Sequence, residues 1–328
     1  MSSDVIALWY PAAVHGGADD VQRELAWLRD AAPGTRFLEL FDRRLDDLDD
    51  DERRDLARAS AAVVLPDPAE LIEWCPALRW VQTITTGVDH VSLDALATAG
   101  IRIASANGTS GAEIAEFVLA RLLEHWKQLP TIAQQQRDHE WTQRFGRALH
   151  GSHVVLVGFG SINQHVARLL RALDVRVTAL RRHADAPPEP AHRVVALDDA
   201  SSVLGEADAV IVALPSTPDT EGMFDAAWFT RMRPGAFFCN VGRGALVVEA
   251  DLVAAVTSGH LGGAAVDVTA SEPLPADDPL WDTPVRVSPH CASVPPQALH
   301  RVLELVVENL RRWSEGGELV NEIRSETV

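Results

Sequence analysis

The segment HVVLVGFGSINQHVARLLRAL (153–173) decides the fold. An apolar run through Val157 ends at Gly158, and a helical pattern opens at Ser161. Gly158 allows a tight turn out of a strand, and Gly160 lets the backbone approach a pyrophosphate. The helix that follows points its N-terminus and free N–H groups at that anion. Asn163 stands where a third glycine usually permits close helix–strand packing. Strand, glycine turn and helix in this order predict a dinucleotide-binding βα unit, with Ser161 and Ile162 joining the two glycines at the phosphates. An ordinary βα turn is the plainer reading of the same residues.

The next strand, VRVTAL (175–180), bears on the cofactor. An NAD(H) site usually ends this strand with an acidic residue on the ribose 2′-hydroxyl. Here Arg181, Arg182 and His183 follow it. Two guanidiniums match a 2′-phosphate in charge and in fork geometry. The sequence therefore points to NADP(H), with NAD(H) as the alternative and a solvated basic loop as the plain reading.

Strands and helices alternate on both sides of this unit. Upstream, VIALWY (5–10), RFLEL (36–40), AAVVL (61–65), LRWVQTI (78–84) and IRIAS (101–105) read as strands, and VQRELAWLRDA (21–31) as a helix with Val21, Leu25 and Leu28 on one face. One long amphipathic helix is predicted from Gly111 to about Pro130, followed by a polar stretch that includes Trp141. Downstream strands are AVIVAL (209–214), AFFCNV (236–241), GGAAVDV (262–268) and VRVS (285–288). The last helix, from Pro295, has an unbroken apolar stripe and is expected to return to the first domain. The fold class is α/β, with two doubly wound parallel-sheet domains and a cleft between them. Residues 1–104 with 292–328 form a flavodoxin-like substrate domain, and 105–291 a Rossmann domain.

Composition narrows the partners. The formal charge of -18 disfavours nucleic acid and anionic membranes. Hydrophobic residues make up 47% of the chain, enough for sizeable cores. No apolar run reaches the ~20 residues of a membrane span. The start MSSDVIALWY lacks a signal-peptide pattern. Cys75, Cys239 and Cys291 lack paired spacing, which suggests reduced thiols in a cytoplasm. The acidic run from Asp46 to Asp55 reads as a solvated loop or helix start.

Three polar residues follow the later strands at the end where parallel sheets bind ligands. Arg243, in NVGRG, can pair two-pronged with a carboxylate and polarise an adjacent keto oxygen. His290, in SPHCAS, has the chemistry of a proton donor near neutral pH. Glu272, in SEPLP, would favour its protonated, donor-competent form. Each also has a plain reading, as surface arginine, structural histidine or loop carboxylate. A thiol nucleophile at Cys291 is disfavoured, because its neighbour His290 is badly placed to serve it. Amides around Gly87 in ITTGVDH (84–90) could form a small anion nest.

These motifs, with GAEIAEFVLA, ALPSTPDTEGMF, MRPGAFFCNVGRGALV and GGAAVDVTASEPLP, resemble the D-isomer-specific 2-hydroxyacid dehydrogenases over nearly the whole chain. The resemblance implies Arg243, Glu272 and His290 as the catalytic set. It implies Asp267 on the nicotinamide carboxamide, with Leu214, Pro215, Thr220, Val241 and Ala292 lining the cofactor crevice. Thr86, Gly87 and Val88, with Arg243, would hold the substrate carboxylate. It further implies a homodimer through the helix at 111–129 and the arm beyond. Arg181 and Arg182 resemble the NADPH-preferring glyoxylate/hydroxypyruvate reductase branch, whereas formate dehydrogenases carry Gln where Glu272 stands. The expected reaction is reduction of a small 2-oxo acid to a D-2-hydroxy acid. The alternatives are an NAD-linked phosphoglycerate-type dehydrogenase and a nucleotide-sensing corepressor. The arm residue Trp141 either reaches a neighbouring site, as in some relatives, or packs in a core.

Overall fold

The computed structural model describes residues 5–182, 184 and 189–323; His183 and most of the proline-rich loop lie outside them. In chain order the elements begin with β1 (Val5–Trp9), α1 (Ala18–Ala31), β2 (Arg36–Glu39), α2 (Asp50–Leu56), β3 (Ala59–Val64), β4 (Trp80–Thr83), α3 (Leu93–Thr98) and β5 (Arg102–Ala104). Then come α4 (Gly111–Trp126), α5 (Leu129–Arg137), β6 (His153–Val157), α6 (Ser161–Ala172), β7 (Arg176–Arg181), β8 (Arg193–Ala196), α7 (Ser201–Leu204) and β9 (Ala209–Val212). The chain ends with α8 (Ala226–Arg231), β10 (Ala236–Asn240), α9 (Glu249–Thr257), β11 (Leu261–Val266), β12 (Arg286–Val287), α10 (Pro295–Ser314) and β13 (Glu322–Ile323).

The chain divides into two units, Met1–Ser110 with Val294–Val328, and Gly111–Ser293. The cuts fall a few residues beyond 104 and 291 for a hydrogen-bonding reason. The amide of Ala106 donates to the Thr85 carbonyl, Asn321 Nδ2 to the Asn107 carbonyl and Arg301 Nε to the Thr109 carbonyl, so the loop before α4 belongs to the first unit. The amides of Cys291 and Ala292 donate to Asp267, which keeps them in the second.

The first unit's sheet has the order β13-β5-β4-β3-β1-β2. β1 to β5 are parallel in the 2-1-3-4-5 order, and β13 adds an antiparallel edge that the sequence reading lacked. Alternate residues of β1 feed two cores: Val5, Ala7 and Trp9 on one face, Ile6 and Leu8 on the other. On the second face lie Leu299, Val302, Leu303 and Val306 of α10, at the i, i+3, i+4, i+7 spacing of one helical stripe. The acidic run starts α2: Asp49 Oδ1 accepts from the amides of Asp51 and Glu52, and Glu52 Oε2 accepts from that of Asp49.

The second unit's sheet, β12-β11-β10-β9-β6-β7-β8, is parallel throughout. Val155 and Val157 of β6 enter one core, Val154 and Leu156 the other, where α4 and α6 pack. The long helix predicted before this sheet is α4, which stops at Trp126, and a second helix, α5, follows where only a polar stretch was read. Gln128 takes a left-handed φ of 55°, and Pro130 falls in the first turn of α5, where its missing N–H is no loss. No helix among the described residues is long and apolar enough to cross a membrane.

His15, 2% exposed beside Tyr10 and Phe41, has no hydrogen-bond partner on either ring nitrogen. Burial lowers its pKa from 6.5, against the opposing pull of Glu24 and Asp20. The unfolded chain therefore takes up this proton more readily than the folded one. The stability contributed by neutral His15 is present above 6.5 and is lost as pH falls through and below it. His15→Phe is expected to flatten the acid side of a plot of melting temperature against pH, below about pH 7. A parallel curve for the variant would count against this assignment.

Candidate active site

The order of the second sheet reverses between β6 and β9, the position at which open α/β sheets hold dinucleotides. Gly158, just after β6, has φ 79°, and a Cβ there would lie 2.6 Å from the Ala213 carbonyl oxygen. Glycine is thus required both by backbone angle and by space. At Gly160 a Cβ would meet nothing within 4 Å, so the room beside the turn is open. α6 starts there with no side-chain cap and no acidic residue in its first turn. Its amides at Ser161 and Ile162 face no competing carboxylate from the helix itself, which fits a diphosphate.

β7 ends at Arg181, with Arg182 next. The Arg181 side chain has no hydrogen-bond or ion-pair partner among the described residues. Arg182 is exposed and lies 4.0 Å from Asp219, itself exposed. Across the switch point, Leu214 and Pro215 follow β9. Thr220 Oγ1 holds that loop, donating to the Pro215 carbonyl and accepting from the Thr217 amide, each at 2.9 Å. Val241 is buried directly after β10.

The ends of the neighbouring strands β10, β11 and β12 carry Arg243, Glu272 and His290. His290 Nδ1 lies 2.8 Å from Glu272 Oε2. The other carboxylate oxygen, Oε1, accepts from the Thr269 amide at 3.0 Å, which fixes the carboxylate plane. With Glu272 accepting from Nδ1–H, the opposite nitrogen, Nε2, is the one that can serve a substrate. His290 has a left-handed φ of 50°, costly for a residue with a Cβ. Its amide donates to the carbonyls of Asp267 (2.8 Å) and Ser288 (3.0 Å), and these bonds hold the conformation.

Asp267 is only 3% exposed. Oδ1 accepts from Ser288 Oγ (2.7 Å) and the Cys291 amide (3.1 Å), and Oδ2 from the Ala292 amide (2.9 Å). Here the carboxylate organises the loop that carries His290. The amide of Ala292, a residue expected to line the cofactor crevice, is engaged by it. Burial and the Asp267 carboxylate push the Cys291 thiol up, which disfavours the thiolate that a nucleophile needs.

Arg243 sits in a tightly built loop. Asn240, fully buried, accepts from the Gly242 amide (2.9 Å) and donates to the Arg243 carbonyl (2.8 Å). Arg243 Nη1 donates to the Gly242 carbonyl at 2.7 Å. A Cβ at Gly244 would fall 1.9 Å from the Thr269 carbonyl oxygen, so the Arg243 loop runs against the segment leading to Glu272.

In the first unit, Thr86, Gly87 and Val88 form the turn expected to bind a carboxylate. Thr85 Oγ1 donates to the Gly87 carbonyl at 2.8 Å, and the three amides have no acceptor among the described residues. Sequence reasoning passed over Asn240 and Ser288, and it read Asn163 only as a missing glycine. For Asn240 one signal existed: a lone polar residue closing the apolar strand AFFCN.

Comparison with known proteins agrees with this architecture. The profile of the D-isomer specific 2-hydroxyacid dehydrogenase NAD binding domain matches residues 119–292, more than half of the chain. Glyoxylate/hydroxypyruvate reductase B of Salmonella newport is 33% identical over 249 residues, 73% of this chain and 76% of that protein. D-3-phosphoglycerate dehydrogenase of Mycobacterium bovis is 33% identical over 246 residues, 74% of this chain but 46% of that longer protein. The chain thus spans about half the length of the phosphoglycerate dehydrogenases it matches. Among solved structures, an NADPH-dependent glyoxylate/hydroxypyruvate reductase from Sinorhizobium meliloti, in complex with NADP and sulfate, superposes with a TM-score of 0.81 at 27% identity, covering 98% of each chain. The chain belongs to the D-isomer specific 2-hydroxyacid dehydrogenase family of oxidoreductases.

Proposed function

We propose that the protein reduces small 2-oxo acids, of the size of glyoxylate or hydroxypyruvate, to D-2-hydroxy acids, and prefers NADPH to NADH. The observation that carries the reading is the 2.8 Å contact of His290 with Glu272, in the unit that also presents Arg243 at an adjoining strand end. When bound, the dinucleotide supplies the hydride for the keto carbon. Gly158, Gly160, Ser161 and Ile162 hold its diphosphate, and Leu214, Pro215, Thr220, Val241 and Ala292 line its path. Arg243 pairs with the substrate carboxylate and draws electron density toward the keto oxygen. The amides of the turn at Thr86, Gly87 and Val88 are donors suited to a carboxylate. His290 delivers the proton from Nε2 while Glu272 fixes the ring.

Arg181 and Arg182, with no acidic residue in their place, favour the 2′-phosphate. Replacing both by alanine is expected to raise the KM for NADPH by at least about tenfold, with much less effect on that for NADH. Equal changes would remove the 2′-phosphate assignment. The reaction itself is tested by measuring turnover of glyoxylate, hydroxypyruvate, pyruvate and bulkier oxo acids with both dinucleotides. Oxidation of phosphoglycerate with NAD and no oxo-acid reduction would favour the phosphoglycerate-type alternative.

The reading includes a cytoplasmic homodimer built through α4 and the arm after it. In that arm Trp141 is 97% and Phe145 85% exposed, an apolar surface that a second copy would cover. Such exposure excludes core packing for Trp141 within its own chain.

A further inference from the structure

Asn163 occupies the third position of the glycine turn and is fully buried. Its Nδ2 donates to the carbonyls of Val157 (3.1 Å) and Gly158 (2.6 Å). Its Oδ1 is also buried and has no partner. Next to it, Gln164 Nε2 donates to the Phe159 carbonyl at 3.3 Å. Three successive carbonyls around the bend are therefore held by side-chain amides of the first turn of α6. A glycine at position 163 could make no such bond.

The consequence follows from peptide geometry. In a planar trans peptide the C=O of one residue and the N–H of the next point in opposite directions. Holding the Gly158 carbonyl toward Asn163 turns the Phe159 N–H away from the helix. Holding the Phe159 carbonyl toward Gln164 does the same for the Gly160 N–H. Neither amide has an acceptor among the described residues, whereas the Gly158 N–H is bonded to the Leu180 carbonyl.

We propose that Asn163 and Gln164 are positioning residues that aim the Phe159 and Gly160 amides at the diphosphate of the dinucleotide. In this chain a side chain supplies the order that backbone proximity supplies where the position is glycine. The inference rests on the reading of this turn as the dinucleotide site.

The test is titration of the full-length protein with NADPH and with NADH, followed by nucleotide fluorescence or calorimetry. Asn163→Ala is expected to raise both dissociation constants by the same factor, about tenfold for two lost hydrogen bonds. The diphosphate is common to both ligands, so the NADPH-to-NADH ratio stays fixed. The KM for either dinucleotide rises with kcat at saturation nearly unchanged. Gln164→Ala, at a partly exposed position, is expected to weaken both by a smaller common factor, and it decides the matter if Asn163→Ala fails to fold. A folded Asn163→Ala protein that melts earlier yet binds both dinucleotides like the parent overturns the proposal. So does a change confined to NADPH. A parent protein that binds neither dinucleotide overturns the underlying reading instead.

Discussion

His290→Ala is expected to lower kcat for glyoxylate reduction with NADPH by about 10²–10⁴-fold, the usual range for loss of a positioned general acid. NADPH binding should change little, because the turn after β6 and the end of β7 contain neither His290 nor its partners. The size of the effect follows from how fully the imidazole is specified. Its Nδ1 faces Glu272, whose second oxygen is held by the Thr269 amide. Its backbone is held in the left-handed region by Asp267 and Ser288. An alanine would leave Glu272 in place with nothing to orient, and bulk water is a poorer donor than a fixed imidazole. Glu272→Gln should give a smaller loss, since the amide oxygen can still accept from Nδ1–H but without the charge. Steady-state kinetics with each variant, beside a melting curve to establish folding, decides the point. A folded His290→Ala protein with near-parental turnover would remove the proton-donor role.

The residues to which this chemistry is assigned could be picked out because parallel strands present their C-terminal ends to ligands. Once AFFCNV, GGAAVDV and VRVS read as strands, Arg243, Glu272 and His290 could be read beyond their ends without coordinates. The glycine turn was legible for the same reason. What escaped was short or contextual. β8 is four residues after a proline-rich loop, and β13 is two residues paired with β5, distant in the chain. Pro130 marked the end of α4 to within a few residues, but the polar segment LPTIAQQQR has no apolar stripe to announce α5. The bonds of Asn163 and Asn240 go to backbone carbonyls, which look alike at every position of a sequence, and Ser288 bonds Asp267, 21 residues away. The charge of -18 is likewise a whole-chain property, while the anionic ligands proposed here answer to arginines and amides at particular strand ends.

Arg243→Ala is the other substitution with a large expected effect: a fall of about 10²–10³-fold in kcat/KM for the 2-oxo acid, combining a raised KM with a lowered kcat. Both parameters move because the guanidinium is assigned two tasks. It pairs with the carboxylate in the ground state and stabilises charge on the keto oxygen as hydride arrives. Arg243→Lys should recover part of the KM, since the charge remains, but little of the kcat, since one ammonium cannot reproduce a planar two-pronged donor. The loop gives reason to expect that the alanine variant folds. Asn240, which bonds the Gly242 amide and the Arg243 carbonyl, and the glycine contact with the Thr269 segment remain in that variant, which loses the bond from Arg243 Nη1 to the Gly242 carbonyl. Gly244→Ala makes the contrast, because its Cβ would overlap the Thr269 carbonyl and disturb both the arginine loop and the approach to Glu272. If Arg243→Ala binds NADPH like the parent and loses only oxo-acid turnover, arginine acts on the substrate. An unchanged KM for the oxo acid would instead assign its carboxylate to other donors and leave Arg243 with the keto oxygen alone.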